Sequence, residues 1–458
     1  MSLILARRRT RTLGGTGGGT VPDTPPVEGE TPGFPTIAAR HADLLADLPG
    51  VNTHLAYGGA EGEYIYRRRG PYADENAAVI AAIRKLRVRH LRETLAWKSP
   101  ALRNRLPVVC AATATDVVFA GRVRSQAASV KPTGAQAVTE ISTYYPGNVG
   151  AGSALRPMVA GIEGDNEPDN DGVSTWGQET RTFQEELYAA GSPTYKILTP
   201  SMAGKVYSGT NFPGDLSAVS DAASLHIYAG GNRPSTDIDL HLSRYGQMAG
   251  TGAEAWVTEG GYQNALNSTQ SNPKVPESVS GVYMPRNMLE LWRRGVRRFY
   301  AYELGDLKRE DPLVEREHHF GFFAWDSQTE PTWRAKPQAH ALERFILLNE
   351  DPGAPYSPAP LGLTVTGGDT SLRREVVGKR DGSYVVWLWR DVSIWTPSQT
   401  GPGTAVSVAA QTIKLTFSRP RTWETYRPSF SATRTAAGTG AVVDVPLSGE
   451  VVGVVVAP

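Results

Sequence analysis

Two short stretches of the chain put carboxyl groups where apolar strands end. In GIEGDNEPD, residues 161–169, an apolar approach through Met158, Val159, Ala160 and Ile162 runs onto Asn166 and Glu167, and Pro168 follows. In AWVTEGGY, Glu259 closes a second apolar run. Acids usually dress a solvated face; at the tip of a buried strand they are groups held for use. Two carboxyl groups facing across a cleft divide the work of cleaving a glycosidic bond. One stays protonated and gives its proton to the leaving oxygen, while the other attacks the anomeric carbon or activates water. Environment sets which does which, by moving the two pKa values apart. Asn166, beside Glu167, is placed to hydrogen-bond a sugar hydroxyl near the reacting carbon.

The elements that must position this pair follow from the hydrophobic rhythm. Apolar runs alternate with helical patterns from about residue 37 to 350, which argues for β/α units and a parallel sheet. Strands are predicted at 50–54, 86–92, 107–112, 157–163, 196–200, 222–228, 255–259 and 297–302. Helices are predicted between them. One, capped by Asp74, presents Val79, Ile83 and Leu86 on one face, and others cover 177–190, about 284–294, and 337–348 with Pro337 in the first turn. Eight such units fit a (β/α)8 TIM barrel, with a doubly wound open sheet as the alternative. In a closed barrel, strands four and seven face each other across the mouth. Glu167 and Glu259 then converge on one cleft.

These motifs resemble the retaining glycoside hydrolases of clan A, in the branch with β-xylosidases and bacterial exopolysaccharide endoglycosidases. GDNEPD resembles that clan's fourth strand, where Asn-Glu-Pro supplies the acid/base, and VTEGGY resembles its seventh, which carries the nucleophile. GVNTHLAY resembles the first strand, VRHLRE the second, HIY the sixth, and FGFFAWD with KPQAHAL the usual ending. The resemblance covers roughly residues 48–350 and implies a double displacement with Glu259 as nucleophile and Glu167 as acid/base. It implies that an arginine near strand two, Arg87 or Arg92, supports Glu259, and that a residue of the HIY segment, His226 to Tyr228, touches it. On the residues alone, Asn166, His54, Arg92, His226, Tyr228 and Glu303 are candidates to bind substrate or orient the nucleophile. Trp97 and Trp325 are candidate stacking platforms for sugar rings, although core packing suits them equally. Glu163 reads as structural.

The rest of the chain bounds the reading. Lys+Arg is 47 against 46 Asp+Glu, a net charge of +1, which offers no field for nucleic acid or an anionic membrane. No apolar run approaches the roughly 20 residues of a membrane helix. The single cysteine, Cys110, reads as a small buried hydrophobe. No metal site is expected: a calcium-loop spacing begins at Glu167 but has Gln178 at its twelfth position, and His318-His319 lacks helix-face geometry. The chemistry calls for no cofactor. Residues 1–36 read as a flexible basic tail and a Gly/Pro linker, without the layout of a signal peptide. After residue 350, period-two runs at 384–390, 413–417, 441–447 and 451–457, with turn signals such as Asp381-Gly382, predict an antiparallel β-sandwich over 351–458.

The expected function is therefore hydrolysis of a polysaccharide or oligosaccharide, endo-acting on a bacterial surface or cell-wall glycan. The alternative is a carbohydrate-binding or structural barrel without catalysis, including a virion tail component. An extracellular or virion-associated setting is expected, and oligomeric state is left open.

Overall fold

The computed structural model describes residues 33–56, 75–123, 131–170, 174–203, 212–307, 312–325, 333–354 and 356–458. The expected basic tail up to residue 32, the Asp74 cap and part of the acidic loop after Glu167 lie outside the described residues. The chain forms two compact units. One comprises Asp47–Glu343 with Ser393–Ser407, and the other comprises residues 33–46, Arg344–Val392 and Val408–Pro458.

The first unit is a closed parallel barrel of eight strands in sequential order. The strands are β1 (Pro49–Thr53), β2 (His90–Thr94), β3 (Asp116–Val123), β4 (Val159–Asn166), β5 (Ile197–Leu198), β6 (Ala222–Ile227), β7 (Glu254–Gly260) and β8 (Arg298–Ala301). Helices alternate with the strands, among them α1 (Glu75–Leu86), α2 (Pro100–Thr113), α3 (Gly134–Tyr144), α4 (Trp176–Gly191), α5 (Ile238–Ala249), α6 (Glu277–Arg293) and α7 (Pro337–Asn349). This is the TIM-barrel architecture. Their buried faces follow the helical period: Val79, Ile83 and Leu86 on α1, Phe183 and Leu187 on α4, Leu342, Phe345 and Ile346 on α7.

One predicted strand was misplaced. Residues 107–112 lie inside α2, with Leu102, Leu106, Val109 and Cys110 on its buried side, and the third strand is DVVFAGRV at 116–123. The apolar run PVVCAA is too short for its period to separate helix from strand. Ser99, whose hydroxyl accepts from Leu102 N, followed by Pro100, marks the true helix start. Cys110 is fully buried, and burial pushes its thiol up to about 12.

Inside the barrel, Val118, Leu198, Ala222, Trp256 and Tyr300 form an apolar plug. Strand β4 passes its neighbours closely: a Cβ on Gly164 would stand 2.4 Å from Gln184 Oε1 and 2.9 Å from Pro200 N. That leaves no room for a side chain just before the strand's functional tip.

The second unit is built on one sheet of eight strands. Its path runs Thr36–Ile37, β9 (Leu361–Thr366), β12 (Gln411–Tyr426), β14 (Val452–Val456), β11 (Tyr384–Arg390), β10 (Leu372–Gly378) and Arg40–His41, with β13 (Ala436–Leu447) paired to β12. Alternation along the strands buries Val376, Tyr384, Val386, Leu388, Ile413, Leu415, Val454 and Val456 on one face. The predicted turn at Asp381-Gly382 joins β10 to β11, with Gly382 at φ +80°. The units do not divide at the expected residues 37 and 350. Thr36–Ile37 and Arg40–His41 pair with β9 and β10, which draws residues before 47 into the sheet unit. Residues 393–407 belong with the barrel because Trp395 buries among Tyr262, Val275, Val279 and Tyr283.

The barrel's N-terminal rim is tied by charge. His90 Nδ1 lies 2.7 Å from Asp116 Oδ1 and its Nε2 3.0 Å from Asp47 Oδ1. Arg156 donates to Asp116 at 2.5 Å and Arg298 to Asp47 at 2.6 Å. Burial pushes both aspartates up, but His90 and the arginines more than offset it and hold them below the usual carboxylate range. A depressed carboxyl stabilises the fold above its unfolded pKa of about 3.9, and that contribution is lost as pH falls through the folded value. Asp116→Asn leaves Arg156 without its carboxylate and His90 with Asp47 alone. It is expected to destabilise the barrel by about 3–5 kcal/mol at neutral pH, and to flatten the fall in Tm below about pH 4. Thermal melts of both forms across pH 2.5–7 check this; equal melting temperatures at neutral pH would refute it.

Candidate active site

The strand tips of β1, β2, β4, β6, β7 and β8 open onto one cleft of about 720 Å³. Its depth is organised around Arg92. The register of the parallel pairs sets Asn52 opposite Arg92 and His226 opposite Glu259. A register shift pairs the consecutive Leu225 and His226 with Val257 and Glu259, so Thr258 is the extra residue of a bulge in β7 that re-aims that strand just before Glu259.

A guanidinium has five N–H donors, and Arg92 places each on an acceptor. Nε donates to Glu163 Oε2 at 2.8 Å; Nη1 donates to Asn52 Oδ1 at 2.9 Å and Glu259 Oε1 at 2.6 Å; Nη2 donates to Glu163 Oε1 at 3.2 Å and Asn166 Oδ1 at 2.6 Å. Glu163 is fully buried and also accepts from Ser224 Oγ at 2.7 Å and Thr258 Oγ1 at 3.1 Å. Burial raises its carboxyl, yet Arg92 holds it below the usual range, so the pair is an ion pair. Arg92 itself is raised by Glu163 and Glu259 against its desolvation.

Glu259 stands above this layer, 9% exposed. Its second oxygen, Oε2, accepts from the Tyr228 hydroxyl at 2.8 Å. Burial and the Glu259 charge push that phenol well above its ordinary value, so it remains a donor. Glu167 sits at the end of β4 with φ +45°, its N–H bonded to Ser201 O, and a 3-10 turn, Pro168–Asn170, follows. Asn170 Nδ2 donates to Glu167 Oε2 at 2.9 Å. His226 lies between the two glutamates: Nδ1 is 2.8 Å from Glu167 Oε1 and 3.5 Å from Glu259 Oε2. Carboxylate oxygens of Glu167 and Glu259 and a ring nitrogen of His226 lie within 4.8 Å of one another. A divalent cation can bridge such a set, but each atom already has a protein partner. Burial raises Glu167, but hydrogen bonds from His226 and Asn170 outweigh it and hold the carboxyl at about 2. Burial lowers His226, and the Glu259 charge with the Glu167 hydrogen bond raises it above its ordinary value.

A second buried group flanks the cleft. His54 lines it, with Nε2 2.9 Å from Glu303 Oε2. Glu303 is fully buried behind His54 and does not reach the cleft wall. Burial pushes its carboxyl up to about 7, and does the same to Glu93, which accepts from Thr53 Oγ1 and Leu55 N.

Comparison with known proteins enters on this geometry. The chain has the fold of solved glycosidases. A glucosidase from Croceicoccus marinus aligns over 93% of this chain and 98% of its own at 11% identity, with a TM-score of 0.58. A family 51 α-L-arabinofuranosidase from Bifidobacterium longum aligns over 93% and 98% at 12% identity, TM-score 0.55. A GH39 enzyme from Xanthomonas axonopodis pv. citri aligns over 92% and 96% at 13% identity, TM-score 0.54. No protein-family model and no curated protein sequence matches.

Most of the residues predicted for the site meet in it. Asn166, Glu167, Glu259, Arg92, His54 and Tyr228 line the cleft, and His226 is buried between the two glutamates. Of the two arginines considered, Arg92 reaches Glu259, whereas Arg87 closes α1 with φ +62°. Trp97 does not line the cleft; it is half-buried beyond β2 with Lys98 Nζ 4.0 Å over its ring. Trp325 lies on the short strand Phe323–Trp325, which pairs with Trp333–Ala335. Sequence reasoning missed Asn52, Glu93, Ser224, Thr258, Glu317 and the segment carrying Pro397. The signal for Glu163 was present, an acid at an inward strand position, and its partner is Arg92.

Arg92→Met leaves the buried Glu163 carboxylate without its guanidinium, with only His226 Nε2 3.8 Å away. It is expected to destabilise the barrel by about 3–5 kcal/mol, and Arg92→Met/Glu163→Gln is expected to recover much of that loss. Denaturant melts of the single and double variants read this out; additive losses would show that the two groups are not coupled.

Proposed function

We propose that this chain is a retaining glycoside hydrolase, with Glu259 as the nucleophile and Glu167 as the acid/base. The observation that carries the reading is the spacing of the two carboxylates. Oxygens of Glu167 and Glu259 lie within 4.8 Å, which suits the ~5–5.5 Å carboxyl separation of double displacement and not the ~6.5–9.5 Å that leaves room for an inverting water. The shared fold of solved glycosidases supports the same class.

In the first step a Glu259 oxygen attacks the anomeric carbon as the bond to the leaving oxygen breaks, and Glu167 delivers its proton to that oxygen. In the second, Glu167 takes a proton from water, the hydroxide attacks the anomeric carbon, and Glu259 is released. Arg92 and the Tyr228 hydroxyl donate to one oxygen each of Glu259 and hold its attack angle. Asn166, fixed through its Oδ1 by Arg92, turns its amide toward the sugar. In the free site the proton that Glu167 must donate is held by the Glu167–His226 pair, on the imidazole side. A cleft of about 720 Å³ holds more than one sugar ring, which favours an endo-acting enzyme on a polysaccharide. We read the sheet unit as a β-sandwich-type accessory module; the long strand β12, which pairs with β9 through its first half and β14 through its second, supports that reading.

Glu259→Gln is expected to abolish turnover on aryl glycosides and natural glycans. Glu167→Ala is expected to keep turnover of an aryl glycoside with a good leaving group and to be accelerated by azide. An active Glu259→Gln enzyme, or a first product of inverted anomeric configuration by NMR, would overturn the assignment. A second outcome concerns pH. His226 raised above its usual 6.5 places the alkaline limb of kcat/KM above that of a lone carboxylic acid. His226→Gln leaves the proton on Glu167 alone, so the limb is expected to move to lower pH. An unmoved limb would show that His226 does not share that proton.

A further inference from the structure

The cleft wall carries a charge pattern that the pair of catalytic carboxylates does not require. Among the described residues that line it, four carry carboxylates, Glu167, Asp237, Glu259 and Glu317, against two guanidiniums, Arg92 and Arg316. Each guanidinium is already paired with a carboxylate, Arg92 with Glu163 and Glu259 and Arg316 with Glu317. Arg92 has all five donors placed, on Glu163, Asn52, Glu259 and Asn166. Arg316 spends Nε on Glu317 Oε1 at 2.8 Å and Nη1 on the carbonyl and hydroxyl of Ser271. The two histidines are compensated as well, His226 by Glu167 and His54 by Glu303.

Glu317 is the acid here that the catalytic pair leaves unused. It follows β8 in a 3-10 turn, Arg316–His318, and stays partly exposed on the cleft. The turn is braced: Glu315 accepts from Glu317 N, and Arg316 N donates to Gln270 Oε1. Arg316 engages only Oε1 of Glu317. Oε2 has no hydrogen-bond partner among the described residues, and Nη2 of Arg316 has none either. A carboxylate oxygen and a neighbouring N–H donor thus stand open in the cleft that holds Glu259. The charges of Glu259 and Glu317 act on each other, and Glu317 also bears on Tyr228 and Glu303, so it belongs to the reacting end of the cleft.

Resting on the glycosidase reading, we propose that the cleft takes neutral or amino sugars and rejects uronic acids, and that Glu317 is the specificity-determining residue. A sugar hydroxyl or ammonium donates to Glu317 Oε2, and a charge-assisted hydrogen bond of that kind outweighs a neutral one. A uronate carboxylate brought to the same place meets Glu317 and Glu259, and among the described residues lining the cleft each guanidinium is already paired with a carboxylate. Like charges in a partly desolvated cleft repel strongly.

The test uses the full chain with Glu259→Gln, so that bound glycans are not cut. It is exposed to a panel of neutral oligosaccharides (glucose, xylose and mannose series), glucosamine oligosaccharides and oligogalacturonates. Binding to neutral or glucosamine members and not to uronates is expected. Adding Glu317→Gln is expected to weaken the bound member about tenfold or more, with melting temperature unchanged, and to bring uronates closer to detection. Uronate binding by the Glu259→Gln form overturns the substrate class while leaving the glycosidase reading intact. Unchanged affinity in the double variant overturns the role of Glu317. No binding to any sugar overturns the glycosidase reading and this inference with it.

Discussion

A single guanidinium holds the site together. Arg92 enters from β2 and donates to groups on β1, β4 and β7, so its five hydrogen bonds cross the barrel rather than run along one edge. Burying a cation there is tolerable only because Glu163 and Glu259 lie within hydrogen-bond reach and every N–H is satisfied. The planar fork fixes the directions of those bonds as well as their number, which a lysine could not do. Asn166 and Glu259 therefore inherit their orientation from one rigid group.

The layers of the barrel interior follow from this constraint. Below Arg92 lies the apolar plug of Val118, Leu198, Trp256 and Tyr300, which excludes water and strengthens the ion pair above it. At its level, Ser224 and Thr258 add two hydroxyl donors to Oε1 of Glu163, which Arg92 Nη2 also reaches. Above it stand Glu259, Tyr228, His226 and Glu167, progressively more open to the cleft. Polarity rises toward the mouth, and with it the freedom of each carboxyl to change protonation. Glu163, fully buried, stays ionised beside its cation. Glu167, at the rim, shares a hydrogen bond with His226.

His54, Glu303 and Glu93 form a comparable but less saturated group on the β1 side. Their partners are fewer, and two buried carboxyls sit near 7 there rather than below their usual range. The contrast with Glu163 shows what an arginine with a full set of acceptors accomplishes: desolvation is the same, the compensating charge is not. The segment 393–407 completes the wall from another part of the chain. Trp395 anchors it with Nε1 donating to Lys274 O, and Pro397 reaches the cleft beside Pro273.

The sequence by itself determined the barrel, the order of its functional strand tips and the glutamate pair. Those features are local: apolar runs with the period of strands and helices, and acids at the ends of such runs, are written in contiguous residues. It failed at PVVCAA because a six-residue apolar run has no period to read, and the cap at Ser99 was the stronger signal. Only the tertiary structure decided which arginine meets Glu259, that Glu303 lies behind His54 instead of at the mouth, and that Trp97 stays away from the cleft. It alone placed residues 36–41 in the sheet unit and 393–407 in the barrel unit. These are matters of register and long-range approach. A charge finds its partner across many positions of chain once the barrel closes, and no spacing within either segment records that meeting.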